Sequence, residues 1–151
     1  MLPVSLGSSP LFHALACGFL VQMSKVLTFL VREKKINFRR FVETGGMPSS
    51  HAASVCALST CVGLREGVGS VLFGVVVFFS LVVMYDAAGL RRAAGRQATL
   101  LNRILHEHIQ LPGQPHERLR ELLGHTPIEV LVGAAIGVLF SIAIYQAPGG
   151  R

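Results

Sequence analysis

Charge is scarce in this chain. Only 15% of its 151 residues are Asp, Glu, Lys or Arg, against about a quarter in an ordinary soluble domain. The 8 acidic residues are outnumbered by 14 Lys and Arg, for a formal net charge of +6. Tryptophan is absent and tyrosine occurs twice. With no aromatic-rich polar face for stacking bases, the basic balance does not point to nucleic acid. The three cysteines, Cys17, Cys56 and Cys61, all fall in apolar surroundings. An odd count without paired or metal-like spacing argues against a disulfide framework, and they read as small packing residues. No carboxylate cluster offers to hold a metal, so neither a metal nor another cofactor is expected. The first apolar block has no basic stretch before it and no clear small-residue cleavage site after it, so it reads as a retained span.

Hydrophobic residues are plentiful, at 51%, and they lie in long blocks. The first runs from about Pro10 to Val31, roughly 22 residues, enough to cross about 30 Å of hydrocarbon. The second, Pro48 or Ser49 to about Leu64, is shorter and rich in Ala, Ser and Cys, as suits a helix packed among others. The third covers about Ser70 to Ala88, and the fourth about Pro127 to Tyr145. In the fourth, Gly133 and Gly137 form a small-xxx-small pair suited to close helix contact. The expected fold is an all-α membrane bundle of about four transmembrane helices, forming one domain over residues 1–151. The short second span and the glycine pair fit a homo-oligomer as readily as intramolecular packing.

Two connections are basic. Arg32 to Gly46 contains Arg32, Lys34, Lys35, Arg39 and Arg40; Gly89 to Thr126 contains Arg91, Arg92, Arg96, Arg103, Arg118 and Arg120. Basic loops stay on the cytoplasmic side, so both belong inside, with the short Arg65–Gly69 turn and the termini outside. The second basic connection is expected to be partly helical. Over Ala87–Glu107 apolar residues recur at helical spacing, extending the third span into a helix along the membrane surface. Leu111–Pro115, with two prolines and a glycine, ends it, and Arg118–Leu123 suits another short turn.

This topology brings polar residues from four spans to one face: Lys25, His51, Asp86 with Arg91 and Arg92, and His125 with Glu129. Ionisable residues inside a membrane are costly and mark function by default. In Gly45-Gly46-Met47-Pro48-Ser49-Ser50-His51 the glycines allow a tight turn, and Pro48 suits a first helical position. Ser49 and Ser50 can cap the helix, whose free N–H groups can bind an oxyanion beside His51. At Gly124-His125-Thr126-Pro127-Ile128-Glu129, a helix opened by Pro127 would bring His125 and Glu129 together, four positions apart. A carboxylate bonded to an imidazole fixes its tautomer. The plainer alternatives are ordinary helix caps at both junctions, a snorkelling Lys25, and membrane-anchoring Arg91 and Arg92. Asp86 could instead pair locally with Arg91, Arg92 or Lys25. His106, His108 and His116 show no ligand pattern and read as surface residues.

From about Lys25 to Gly137 the chain resembles the type 2 phosphatidic acid phosphatases, which share a fold with vanadium haloperoxidases, and most closely their short divergent bacterial and plastid branch. The family's first motif, Lys, six residues, Arg-Pro, corresponds to Lys25 and Arg32, with Glu33 in place of Pro. Its Pro-Ser-Gly-His motif corresponds to Pro48-Ser49-Ser50-His51, and its final His, three residues, Asp to His125 and Glu129. The Ser-Arg pair expected seven and six residues before that His is replaced by Arg118 and Leu119. Tyr85–Gly95 is itself like the divergent branch, so Arg91 or Arg92 is inferred to supply the missing guanidinium.

The resemblance implies a phosphatase that cleaves a lipid phosphomonoester through a phosphohistidine. His125 would be the nucleophile, Glu129 its orienting carboxylate and His51 the acid. Lys25, Arg32, Ser49, Ser50, and Arg91 or Arg92 would hold the phosphoryl oxygens, with Asp86 beside them. The expected partners are a phosphorylated lipid substrate and membrane lipids. The expected location is a bacterial inner membrane with the site facing the cytoplasm, which favours phosphatidylglycerol phosphate over phosphatidic acid or polyprenyl phosphates. A non-catalytic scaffold or lipid-binding member of the same fold is the alternative, and a small transporter component is a more distant one.

Overall fold

The computed structural model describes residues 9–34, 46–108, 119 and 124–148; of Arg32, Arg91 and Arg92 it describes the backbone alone. All regular structure among the described residues is helical. Helix α1 spans Pro10–Glu33, α2 Ser50–Glu66 and α3 Val71–Tyr85. A π-helical turn, Asp86–Leu90, leads directly into α4, Arg91–His108, and α5 spans Pro127–Gln146. The apolar third block therefore does continue as a helix. The expected turn at Arg118–Leu123 and the end of α4 at Leu111–Pro115 lie outside the described residues, Leu119 excepted.

Hydroxyl caps start all four bundle helices. Ser9, Ser49, Ser70 and Thr126 each take up an otherwise orphaned backbone N–H of the first turn. Because Ser49 is the cap of α2, Pro48 lies just before the helix and not at its first position. The α1 helix stops at Lys34, a left-handed residue with φ 53° whose N–H donates to the Leu30 carbonyl.

Among the described residues, three helices are long and apolar enough to cross a membrane: Pro10–Val31, the α3 to α4 run Val71–Leu105, and Pro127–Gln146. The 17-residue α2 is shorter and lies at the centre, packed against α1, α3 and α5. Its small residues make this possible. Ala52, Ala53, Ala57 and Cys61 are fully buried, whereas Leu15, Phe78, Leu131 and other large apolar side chains point outward. A core of small residues with bulky apolar residues outside is the pattern of a bundle solvated by lipid.

Register follows from individual contacts. A Cβ on Gly133 would strike the Ser49 carbonyl, and one on Gly137 would strike the Ala53 carbonyl, so α2 and α5 run parallel with backbones touching. The small-xxx-small pair thus sits where the closest approach occurs. On the other side of α2, Ser59 and Ser80 share a 2.7 Å hydroxyl bond, and Ser80 also reaches the Val55 carbonyl. Phe73 covers Gly63, so α3 runs antiparallel to α2. Between α1 and α5, His13 Nδ1 lies 2.7 Å from Ser141 Oγ. This architecture gathers the end of α1, the start of α2, the end of α3 and the start of α5 at one end of the bundle.

Candidate active site

The site is built on the first turn of α5. Thr126 caps it: the Glu129 N–H donates to Thr126 Oγ1 at 3.3 Å, and the Thr126 N–H donates to Glu129 Oε2 at 3.0 Å. This reciprocal capping box fixes the carboxylate in space. The same Oε2 lies 3.2 Å from His125 Nδ1. Glu129 is therefore both a helix cap and the orienting partner of an imidazole that is only 2% exposed. The His125 main chain is held as well, because its N–H donates to the Ala87 carbonyl in the π turn at 2.9 Å. Gly124, with φ 92°, provides the left-handed backbone entering this segment.

Helix α2 delivers the second histidine. The Ser49 N–H donates to the Glu129 carbonyl at 3.0 Å, locking the starts of α2 and α5 together. In the first turn of α2, the His51 ring stands edge-on to that of His125, with centroids 6.1 Å apart. The preceding loop contributes too, because the Gly46 backbone lies near enough to the His125 ring to act on its pKa. Lys25 comes from α1, with its ammonium close enough for charge interaction with both Glu129 and His125.

These surroundings push the His125 pKa below the ordinary histidine value. Burial is the main cause and the nearby Lys25 charge adds to it, while the Glu129 hydrogen bond and the Gly46 backbone oppose it. His125 is accordingly held neutral near pH 7, with Nδ1 committed to the carboxylate. Its other ring nitrogen is the one suited to nucleophilic attack.

The structure thus brings Lys25, His51, His125 and Glu129 together, with Ser49 and Ser50 at the α2 start. Ser49 is fully buried and its groups maintain the fold: Oγ accepts from the Ala52 N–H, its own N–H donates to the Glu129 carbonyl, and its carbonyl accepts from Ala53. Half-buried Asp86 heads the π turn next to Ala87. Arg32 lies in the last turn of α1, while Arg91 and Arg92 open α4; their side chains lie outside the described residues. Sequence reasoning missed Thr126 and Ala87. The Thr-Pro-x-Glu pattern around Thr126 is a readable capping-box signal, but a backbone carbonyl such as that of Ala87 leaves no side-chain signal.

A family model described as "Divergent PAP2 family" matches residues 6–140. An uncharacterized membrane protein of Bacillus subtilis (strain 168), YuiD, is 40% identical over 146 residues, covering 89% of this chain and 92% of that protein. No solved structure matches.

Proposed function

We propose that this chain, which belongs to the divergent PAP2 family, is a membrane phosphatase that hydrolyses a lipid phosphomonoester through a phosphohistidine. The observation that carries the reading is the His125–Glu129 pair, bonded at 3.2 Å, with the His51 ring 6.1 Å away. Two imidazoles at that separation can act on one phosphoryl group, because proton transfer needs hydrogen-bond reach or one bridging water.

In the first step, the His125 nitrogen facing away from Glu129 forms a bond to phosphorus as the phosphorus–oxygen bond to the lipid breaks. Protonated His51 gives its proton to the departing alkoxide. In the second, water attacks phosphorus, His51 takes its proton, and the nitrogen–phosphorus bond breaks to release phosphate. Glu129 stabilises the cationic imidazole ring in between. Lys25 supplies positive charge to the phosphoryl oxygens, joined by the Ser50 turn at the α2 N-terminus and by Arg32 and Arg91 or Arg92. Phosphoryl transfer depends mainly on such positioning and charge.

The basic connections support a site on the cytoplasmic face of a bacterial inner membrane, which favours phosphatidylglycerol phosphate as substrate. A second reading, a lipid-binding member without catalysis, draws on Leu119. It stands at the family's arginine position, and its backbone is bonded to Asn102 at 2.8 and 3.0 Å. Phosphate release from lipid phosphomonoesters by purified protein separates the two. His125→Ala is expected to lose at least about 10³-fold and His51→Ala about 10²-fold or more. Equal rates in all three proteins would leave only the binding reading.

A further inference from the structure

Helix α4 has three different faces. Gly95 and Ala98 are buried, and Asn102, on the same side, grips the Leu119 backbone through both its carbonyl and its N–H. Arg96, Thr99 and Arg103, spaced i, i+3 and i+7, form an exposed strip beside it. Next to that strip, Leu100, Leu101 and Ile104 are 59%, 50% and 42% exposed. Among the described residues α4 packs little against the other helices, and its apolar strip is left exposed.

We propose that α4 is an interfacial helix whose Leu100, Leu101 and Ile104 strip inserts into the bilayer surface, while Arg96 and Arg103 bind anionic phospholipid headgroups. Two observations select a lipid surface. First, α4 continues without a break from an apolar span. It therefore starts at the membrane boundary, where a flat orientation puts apolar residues into the acyl region and arginines at headgroup level. Second, its charge is one-sided: against Arg91, Arg92, Arg96 and Arg103 the helix sequence sets a single acidic residue, Glu107. Basic side chains beside a membrane draw anionic lipid. A second copy laid on the same strip would set arginines against arginines. The proposal stands whether or not His125 is catalytic. It also gives α4 a mechanical place, since the docked helix anchors both Leu119 and, through the π turn, the main chain of His125.

The absence of tryptophan allows a direct test on the full chain. Ile104→Trp and Thr99→Trp are each reconstituted in phosphatidylcholine vesicles with and without phosphatidylglycerol, with bromine carried high on the acyl chains as a quencher. Leu100→Trp serves as a second reporter on the apolar strip. With phosphatidylglycerol present, the strip tryptophans are expected to emit to the blue and be quenched at least about threefold more than the one at position 99. Adding Arg96→Gln and Arg103→Gln is expected to remove at least about half of that difference. A water-like emission from both strip positions overturns the proposal. So does quenching that ignores both phosphatidylglycerol and the arginines. A blue shift that appears only as protein is crowded in the vesicle would assign the strip to a second copy instead.

Discussion

His125 and His13 are buried alike, at 2% and 0% exposure, and each turns Nδ1 toward an oxygen on α5. Glu129 and Ser141 lie twelve residues apart on that helix, about 18 Å along its axis. The shorter contact is the one at His13, 2.7 Å against 3.2 Å. Their settings differ far more than their geometry. His13 is flanked edge-on by Phe12 and Phe140, and its oxygen partner is a neutral hydroxyl. His125 has a carboxylate, an ammonium from Lys25 and a second imidazole around it, at the starts of two helices. A buried histidine bonded to an oxygen is therefore no sign of chemistry by itself. Convergent charge and helix N-termini distinguish the proposed reactive end from the packing end.

Glu129→Gln should break this distinction most strongly. The amide keeps the shape and can still cap the helix, but it cannot stabilise a cationic His125 ring. Activity is expected to fall roughly 10⁴-fold, the order seen when a carboxylate orienting a catalytic imidazole is neutralised. The pH profile adds a sign. In the proposed mechanism His125 attacks as the neutral ring, so activity is lost as pH falls through its pKa, which burial already holds below the ordinary value of about 6.5. Glu129 holds that pKa up, so the residual activity of the variant should keep its acid limb at lower pH than the parent. An acid limb displaced upward would mean that another group titrates.

Gly133→Ala comes next, because it separates space from chemistry. The added methyl meets the Ser49 carbonyl, part of a backbone that has no rotamer in which to retreat. The starts of α2 and α5 must then move apart, and a displacement of about 1 Å at reacting groups can cost about 10²-fold in rate. Gly18→Ala is the matched control, since its Cβ would meet the Ser54 hydroxyl, which can rotate away. Its activity should stay within about threefold of the parent. Similar losses in both, measured as phosphate release at saturating substrate, would show that α2–α5 contact has no special part in assembling the site.

How much of this was legible follows from which signals a sequence carries. Helix α5 was readable almost to the residue, because a polar junction, a proline and a glycine pair mark its start and packing face. The pairing of His125 with Glu129 was readable from helical spacing alone. At α2 the start fell after Pro48 because the Ser49 hydroxyl does the capping, a local choice that composition does not settle. The Ala87 carbonyl was invisible, being backbone in a turn of unusual geometry. His13 was overlooked because one histidine in an apolar block sets up no period, and its partner Ser141 lies at the far end of the chain.

Ser141→Ala is the smallest and most discriminating probe of that overlooked pair. It removes one buried hydrogen bond between α1 and α5. Such bonds between membrane helices contribute about 0.6 kcal/mol on average, so thermal stability in detergent should fall only slightly. Phosphate release should stay within about twofold of the parent, since the pair lies about 18 Å along α5 from Glu129. A tenfold loss of activity with the fold intact would show that the two ends of α5 work together. The contrast between a packing histidine and a reactive one would then give way to a single polar path through the bundle.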